Sequence, residues 1–271
     1  MVTDKAVVLA AGRGTRMIEG VLPPGLTEAQ RTAARRGLKA MIPLGNPPLP
    51  FLVYLLSGLA DAGFRQVCLV LSPAQEEVDS FLRGAKPNRV AVQVALQEKP
   101  LGTADAVLQA ERFAGDDSFV VVNGDNLYPA RALARLRQLP RAGLLGFHTS
   151  TLVREGNIPP GRINAYALIE AIDGHLTRIV EKPTPAEAAR FGPDPLVSMN
   201  AWLLPATIFP ASRSIAPSSR GELELQSAVG YLIERGERFQ VVPTGEGVLD
   251  LSNPGDIPAV EARLAGVEAR L

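Results

Sequence analysis

Short apolar runs alternate with amphipathic segments through the first half of this 271-residue sequence, and this alternation limits the fold more than any other feature. Apolar runs bounded by turn residues indicate buried β-strands, and apolar residues at helical spacing indicate helices. The predicted strands are Lys5–Leu9, Gln66–Leu71, Val90–Ala95 and Ser118–Val122, and the predicted helices between them are Leu49–Gly63, Ala74–Arg83 and Thr103–Arg112. This pattern predicts a doubly wound, Rossmann-like α/β fold with a mixed, mostly parallel sheet.

The second half of the sequence has more hairpin and strand signals. Asn164–Ala171 and His175–Val180 flank Asp173-Gly174, a dipeptide that favours a tight β-hairpin turn. The other predicted elements are strands at Ser198–Leu204 and Phe239–Pro243 and helices at Glu222–Arg235 and Ile257–Leu264. Because these elements can extend the same sheet, we expect one domain over residues 1–271, with halves 1–147 and 148–271.

A glycine-rich loop, Gly12-Arg13-Gly14-Thr15-Arg16, follows the first predicted strand directly. Ligands bind where the carboxyl ends of parallel strands meet, so Ala10–Arg16, Gln97–Gly102 and Gly124–Asp125 should share one edge. Glycines there let backbone N–H groups approach phosphate oxygens, and Arg16 adds a delocalised positive charge. The loop lacks both the Gly-Lys-Ser/Thr of a P-loop and a complete GxGxxG fingerprint. It therefore indicates an anion site of some other type.

The order of several motifs along the chain is more specific than any one of them. LAAGRGTRM, LKAMIPLG, QEKPLGTADA, VVNGDN, GRI, VEKP and MNAWLL follow one another from about Val7 to Asp250. In this order they resemble the sugar nucleotidyltransferase family, which includes glucose-1-phosphate thymidylyl- and uridylyltransferases. The resemblance implies a Mg²⁺-dependent enzyme that joins the nucleoside monophosphate of an NTP to a sugar-1-phosphate and releases pyrophosphate. Residues 1–147 would then bind the nucleotide and residues 148–271 the sugar.

The resemblance also implies roles for single residues. The catalytic group would be Arg16, Lys39, Asp125 and Lys182, with Lys39 beside the NTP phosphates and Lys182 beside the sugar phosphate. Nucleotide contacts would come from Leu9, Ala10, Ala11, Gly12, Gly14, Thr15, Gln97, Gly102 and Thr103. Sugar contacts would come from Gly161, Glu181 and Asn200. Asp125 and Asp250 would bind Mg²⁺, which prefers oxygen ligands, and Asp256 is the alternative to Asp250.

Gln97 bears on which nucleotide is bound. A glutamine amide donates and accepts, which suits the adjacent N3–H and O4 of uracil or thymine. We therefore expect dTTP or UTP, with glucose-1-phosphate as the favoured sugar. The same chemistry with GTP and mannose-1-phosphate, or with CTP, stays open, as does a non-catalytic regulatory protein that binds a nucleotide sugar.

Two features depart from the family pattern. Leu38 stands where the family usually has proline before the motif lysine, and the segment Ile18–Gly37 is longer than expected. Thr27–Arg36 within it predicts a helix capped by Thr27. The arginines of this helix either face solvent or lie over bound phosphates.

Composition excludes several classes of function. Lys plus Arg and Asp plus Glu both total 28, so no net field attracts nucleic acid or a membrane surface. The single cysteine, Cys68, lies in an apolar run and is expected to be buried. The chain shows no signal-peptide pattern and no apolar run of about 18 residues, so we expect a cytoplasmic protein. Assembly into a homo-oligomer is left open.

Overall fold

The computed structural model describes residues 2–271. The strands are β1 Lys5–Leu9, β2 Pro43–Leu44, β3 Leu49–Pro50, β4 Gln66–Leu71, β5 Ala91–Leu96, β6 Phe119–Asn123, β7 Asn126–Leu127, β8 Gly143–His148, β9 Ala167–Ile172, β10 His175–Val180, β11 Leu196–Leu204, β12 Gln240–Thr244 and β13 Leu249–Asp250. The helices are α1 Thr15–Glu19, α2 Glu28–Arg35, α3 Phe51–Asp61, α4 Glu76–Ala85, α5 Thr103–Leu108, α6 Glu111–Ala114, α7 Ala130–Arg137, α8 Thr149–Arg154, α9 Pro185–Ala188, α10 Ile208–Ser214, α11 Leu225–Ile233 and α12 Ile257–Leu264. Short 3₁₀ turns occupy Lys39–Met41, Pro73–Gln75, Pro160–Ala165, Ala189–Phe191 and Pro254–Asp256.

A nine-stranded sheet organises the chain, in the order β5-β4-β1-β6-β11-β8-β12-β10-β9. Four neighbouring strands from the first half, β5, β4, β1 and β6, are parallel. Strand β11 runs antiparallel to β6 and β8, and β10 runs antiparallel to β9 and β12. The predicted α/β fold with a mixed sheet is confirmed, and its antiparallel pairings all involve strands of the second half.

Both faces of the sheet are covered by helices. In β1, Ala6 and Val8 join one apolar cluster with α3 and α7, whereas Val7 joins a second cluster with α5, α10 and α11. Successive side chains of a strand point to opposite faces, so a strand covered on both sides is apolar throughout. This explains why β1, β4 and β6 appear in the sequence as apolar runs, whereas the edge strand β5 is largely exposed and contains Gln93.

The largest differences between prediction and structure occur at element ends. The predicted helix Thr103–Arg112 is two helices, α5 and α6. The predicted strand Asn164–Ala171 begins only at Ala167, because the residues before it continue a 3₁₀ turn that Pro160 starts at its first position. The hairpin after it is as predicted: Ile172 pairs with His175, and Asp173 and Gly174 have φ of 50° and 73°.

The long segment Ile18–Gly37 contains the predicted helix, α2. The Thr27 side chain accepts a hydrogen bond from the Gln30 N–H at 3.2 Å, which caps it. The Arg31 guanidinium donates to the Leu26 carbonyl oxygen and so closes the preceding turn. Apolar residues of α2 pack with Met17 and with α12 in a third cluster. The segment thus ties the first loop of the chain to its last helix, and its arginines do not line the cleft described below.

The buried thiol of Cys68 gives a first prediction. Its side chain is 1% exposed, and burial raises its pKa to about 12. The native protein should therefore react with a thiol reagent such as DTNB only after unfolding, because the thiolate is the reactive form. Parallel reactions in buffer and in guanidinium chloride test this. Prompt labelling of the native protein would show that β4 opens locally.

Across residues 2–271, no helix has the length and apolar character that crossing a membrane requires.

Candidate active site

A cleft of about 630 Å³ lies where the parallel strands end. The loops after β1, β5 and β6 all reach it, as expected for one shared edge. The site residues predicted from the sequence that line it are Leu9, Ala10, Ala11, Gly12, Gly14, Thr15, Lys39, Gln97, Gly102, Thr103, Asp125 and Asn200. Arg16, Gly161, Glu181, Lys182 and Asp250 were also predicted and are not among its lining residues.

The glycine loop after β1 is shaped by close backbone approaches. Gly14 has φ of 66°, and a Cβ on it would lie 2.7 Å from the carbonyl oxygen of Gly37. A Cβ on Gly124 would lie 2.7 Å from the Cβ of Ala10. Side chains at these positions would push the loops apart, so glycine keeps backbone N–H groups at the cleft surface, where they can bind phosphate oxygens.

Two arginines belong to this loop: Arg13 lies between its glycines, and Arg16 lies at its end. Arg13 lines the cleft, whereas Arg16 lies in the first turn of α1 and is exposed to solvent outside the lining. The sequence analysis chose Arg16 and passed over Arg13. In this structure Arg13 is the arginine better placed to meet a ligand in the cleft.

Lys39 and Asp125 form an ion pair in the cleft wall. The Lys39 Nζ donates to the Asp125 Oδ2 at 2.8 Å, and the two side chains are 16% and 25% exposed. Lys39 begins a 3₁₀ turn after the long segment, and Asp125 follows β6. The sequence analysis placed both residues at the reacting phosphates, and the structure brings them together across 86 positions of the chain.

Asp250 is held in a different way. It is 2% exposed, and four donors bind its carboxylate: the Asn126 amide and Ser252 hydroxyl at Oδ1, and the Arg162 guanidinium and Tyr166 hydroxyl at Oδ2. A carboxylate has about four lone-pair positions, so the donors fill them all. In this structure the Asp250 oxygens are thus bonded within the protein, and the metal binding predicted for Asp250 would require at least one of these donors to be displaced.

Asp256, the alternative, is engaged too. Its Oδ2 accepts from the backbone N–H groups of Ser252 and Asn253 at 2.9 and 2.8 Å, and its Oδ1 accepts from Arg162 at 2.6 Å. Arg162 therefore bridges two buried carboxylates. The sequence analysis missed Arg162, although a lone arginine between proline-rich and apolar residues is an unusual surface residue.

Magnesium can still be accommodated on the Asp125 side of the cleft. Mg²⁺ is usually held by one or two carboxylates together with substrate phosphates. Across residues 2–271 no three His, Cys, Asp or Glu side chains are grouped so that they could hold a metal. The protein alone thus offers the Asp125 carboxylate, and phosphate oxygens would have to supply further ligands.

Gln97 lines the cleft after β5, and Asp105 binds it from outside the lining. Gln97 is 6% exposed, and its Nε2 donates to the Gly102 carbonyl oxygen at 3.0 Å and to Asp105 Oδ2 at 2.7 Å. Its backbone N–H donates to the Leu71 carbonyl oxygen at 2.8 Å, which anchors the residue to the end of β4. The amide that the sequence assigned to the base is therefore tightly positioned.

The loop carrying Gly102 is joined to a loop far along the chain. The Leu223 N–H donates to the Leu101 carbonyl oxygen at 2.7 Å, and the Ala104 N–H donates to the Leu223 carbonyl oxygen at 2.9 Å. This pairing brings Arg220-Gly221-Glu222 to the cleft wall. The sequence analysis missed these residues, although charged residues around a glycine just before a helix were a usable signal.

Gly102→Ala should damage this junction. Gly102 has φ of 109°, and a Cβ would lie 2.4 Å from the Leu223 carbonyl oxygen. Gly236→Ala is a matched control, because Gly236 has φ of 92° with open space around its Cβ position. We expect Gly102→Ala to lower the free energy of unfolding by about 1–3 kcal/mol more than the control. Urea titrations of both variants measure this, and equal losses would show that the clash is relieved without cost.

Asn200 and Arg220 line another part of the cleft, which we call the Asn200 end. The Asn200 Oδ1 accepts from the Gln226 amide at 3.0 Å, and Asn200 has a left-handed φ of 56°. Arg220 pairs with Glu224 at 3.0 Å. Loss of water and the nearby Glu224 carboxylate raise the pKa of Glu181, and the positive charges of Lys182 and Arg220 partly oppose this rise. Glu181 and Lys182 therefore lie close enough to Arg220 and Glu224 to act on this end electrostatically.

Gly161 lies outside the cleft lining. It belongs to the 3₁₀ turn Pro160–Ala165, it is exposed, and a Cβ on it would meet no protein atom within 4 Å. No contact within the protein explains a glycine there, and its predicted contact with the sugar stays a prediction. The tripeptide Gly161-Arg162-Ile163 matches the family motif in letters, but the strand starts only at Ala167.

Comparisons with known proteins identify the family of the chain. The profile of the family described as Nucleotidyl transferase matches residues 5–263. UTP–glucose-1-phosphate uridylyltransferase AglF of Haloferax volcanii is 28% identical over 267 residues, which are 96% of this chain and 96% of that protein. Glucose-1-phosphate thymidylyltransferase of Streptomyces griseus is 30% identical over 233 residues, which are 86% of this chain and 58% of that protein.

The lengths and the fold complete the comparison. For four of the curated relatives that it matches, the chain spans between 54% and 59% of their length. A UDP-glucose pyrophosphorylase solved with UDP-glucose has a TM-score of 0.71 to this structure at 19% identity, covering 97% of this chain and 98% of that one. This likeness establishes the nucleotide-diphospho-sugar transferase fold. Since the family profile also extends from β1 into α12, the chain belongs to the nucleotidyl transferase family, among the sugar nucleotidyltransferases that its motifs resemble.

Proposed function

We propose that the protein transfers a nucleoside monophosphate from UTP or dTTP to a sugar-1-phosphate, with glucose-1-phosphate as the favoured acceptor. The observation that carries this proposal is the convergence of complementary groups on one cleft. These groups are the Gln97 amide, the backbone of Gly12–Gly14, the Lys39–Asp125 pair, Asn200 and Arg220. The uridylyl- and thymidylyltransferase names of the relatives support the same substrates.

The proposed reaction forms one bond and breaks one. A phosphate oxygen of the sugar-1-phosphate attacks the α-phosphorus of the NTP in line. The bond from that phosphorus to the bridging oxygen breaks, and pyrophosphate leaves. Such a reaction depends on alignment and on neutralising charge, rather than on a general base.

The residues of the cleft suit these two tasks. Backbone N–H groups of the glycine loop would bind phosphate oxygens, and the Lys39 ammonium, held by Asp125 at 2.8 Å, would neutralise charge beside the α-phosphorus. Mg²⁺ bound by Asp125 and phosphate oxygens would stabilise the charge that develops on the leaving pyrophosphate. Arg13 is available for the pyrophosphate end of the same loop.

The acceptor sugar phosphate would bind at the Asn200 end. Arg220 lines that end, and Lys182 lies near enough to lower the pKa of Glu224 together with Arg220. We therefore assign Arg220 and Lys182 to the sugar phosphate, and Glu181 and Asn200 to sugar hydroxyls. In this division residues 1–147 serve the nucleotide and residues 148–271 serve the sugar. We place the reaction in the cytoplasm, where NTPs are available.

Pyrophosphate release tests the proposal directly. Purified protein with Mg²⁺ is assayed with dTTP, UTP, CTP, GTP and ATP against several sugar-1-phosphates. We expect turnover with UTP or dTTP and glucose-1-phosphate. If no pair is turned over while nucleotide sugars still bind, the protein is a regulatory relative and the proposal fails.

A further inference from the structure

We propose that Asp105 determines nucleobase specificity, by fixing the Gln97 amide so that its oxygen faces the base. This inference rests on the proposed function, since it requires that the cleft binds an NTP with its base beside Gln97. Asp105 does not line the cleft, so it acts through Gln97 as a positioning residue.

The orientation of the Gln97 amide follows from its two partners. The Gly102 carbonyl oxygen lies 3.0 Å from Nε2, and Asp105 Oδ2 lies 2.7 Å from it. Both partners can only accept a hydrogen bond, when Asp105 is ionised. Turning the amide over would place its oxygen against two acceptor oxygens, so this network assigns the nitrogen to the Gly102 and Asp105 side.

This orientation leaves one polar atom for the base. Both N–H bonds of the Gln97 amide are used inside the protein, and within residues 2–271 no donor reaches its Oε1. Gln97 therefore offers the cleft an acceptor alone. This changes the expectation from the sequence, in which the amide would both donate to and accept from the base.

A hydrogen-bond acceptor that faces the base discriminates between the pyrimidine bases. N3 of uracil or thymine carries a hydrogen and can donate to Oε1, whereas N3 of cytosine is itself an acceptor. Cytosine bound in the same orientation would place two acceptors against each other in a site where Gln97 is 6% exposed, and an unsatisfied buried polar group is costly. It could avoid this only by moving so that its N4 amino group donates to Oε1. The sequence alone left CTP open, and the Asp105–Gln97 bond gives a reason to expect that CTP binds less well than UTP or dTTP.

Asp105 is well supported in this task. It belongs to the first turn of α5, where a negative charge is favoured by the helix dipole. The Gln109 amide donates to the Asp105 carbonyl oxygen at 3.1 Å, which further fixes its backbone. The carboxylate is thus held beside Gln97 by the helix that also carries Thr103 to the cleft.

Nucleotide binding without the sugar phosphate tests this inference. We would measure Kd for UTP and CTP by titration calorimetry with the wild type, Asp105→Asn, Asp105→Leu and Asp105→Ala. The asparagine oxygen can still accept from Gln97, so Asp105→Asn should keep the preference for UTP. Leucine and alanine cannot, so the ratio of the two Kd values should fall about tenfold or more towards one. Asp116→Leu, at an exposed aspartate, is the control.

Each outcome has a distinct meaning. Loss of discrimination in the leucine and alanine variants, with rescue by asparagine, supports the inference. Unchanged discrimination in folded Asp105→Leu or Asp105→Ala overturns it, as does equal binding of UTP and CTP by the wild type, while the proposed function stands. Binding of neither nucleotide by the wild type removes the proposed function itself.

Discussion

Asp125→Asn should lower the proposed nucleotidyl transfer by about 10²–10³-fold and leave the fold intact. Asparagine keeps the shape of the side chain and removes the charge that pairs with Lys39 at 2.8 Å. The Lys39 ammonium then loses the contact that fixes it in the cleft wall. The Asp125 carboxylate is also the protein ligand that we propose for Mg²⁺, so both sources of positive charge at the phosphates are weakened together.

The measurement is the kcat for pyrophosphate release as a function of Mg²⁺ concentration. Asp116→Asn makes the same chemical change at an exposed position and should retain wild-type turnover. A circular dichroism melt of each variant checks the fold. If Asp125→Asn keeps most of its activity at every Mg²⁺ concentration, neither the metal role nor the Lys39 contact is needed for the reaction.

The parts of the site that sequence reasoning found lie on parallel strands. The ends of β1, β5 and β6 meet at one edge because parallel strands all run the same way, so the loops of Gly12, Gln97 and Asp125 had to converge. No side-chain geometry was required for that prediction. The fold class follows from the same alternation of strands and helices.

The parts that it missed depend on contacts between distant segments. Arg220 reaches the cleft because Leu223 pairs with Leu101, more than a hundred positions earlier in the chain. The predicted strand from Asn164 also began too early, since a 3₁₀ turn occupies Pro160–Ala165 and the strand starts at Ala167. The local sequence pattern cannot predict such pairings, because they depend on how two distant loops pack against each other.

The surroundings of Asp250 could be predicted only in part. Its position next to Asp125 was foreseen, and the Leu251 N–H does donate to the Asp125 carbonyl oxygen at 2.8 Å. The donors that bind its carboxylate were not foreseen, because Arg162 comes from a turn 88 positions away. A metal bound by Asp250 would have to displace at least one donor, because the donors fill the lone-pair positions of the carboxylate.

The same contact makes Arg162→Met the substitution with the largest expected cost in stability. Arg162 is 20% exposed, and its partners Asp250 and Asp256 are 3% and 8% exposed. Methionine has a similar length but cannot pair, so two buried carboxylates would be left near one another. Removing one member of a buried ion pair typically costs about 3–5 kcal/mol, and we expect a loss of free energy of unfolding in that range.

The loss should depend on pH, because Asp250 can take up a proton. Burial, together with the Asp125 charge, raises the pKa of Asp250 to about 6 in the folded protein, and Arg162 lowers it. A carboxyl whose folded pKa exceeds its unfolded value makes the fold less stable as pH rises between the two values. Without Arg162 the folded pKa rises further. The variant should therefore be closest to the wild type in mildly acid buffer and furthest from it in mildly alkaline buffer.

Urea titrations of Arg162→Met and Arg154→Met at both pH values test this, with Arg154 as the control because its side chain is 65% exposed. The control should change stability by less than about 0.5 kcal/mol at either pH. Adding Asp250→Asn to Arg162→Met should recover part of the loss in alkaline buffer, since one uncompensated charge is removed. A small loss that does not vary with pH would mean that water or a shift of the Pro254–Asp256 turn solvates both carboxylates. Asp250 would then have lone pairs that a metal could reach without displacing Arg162.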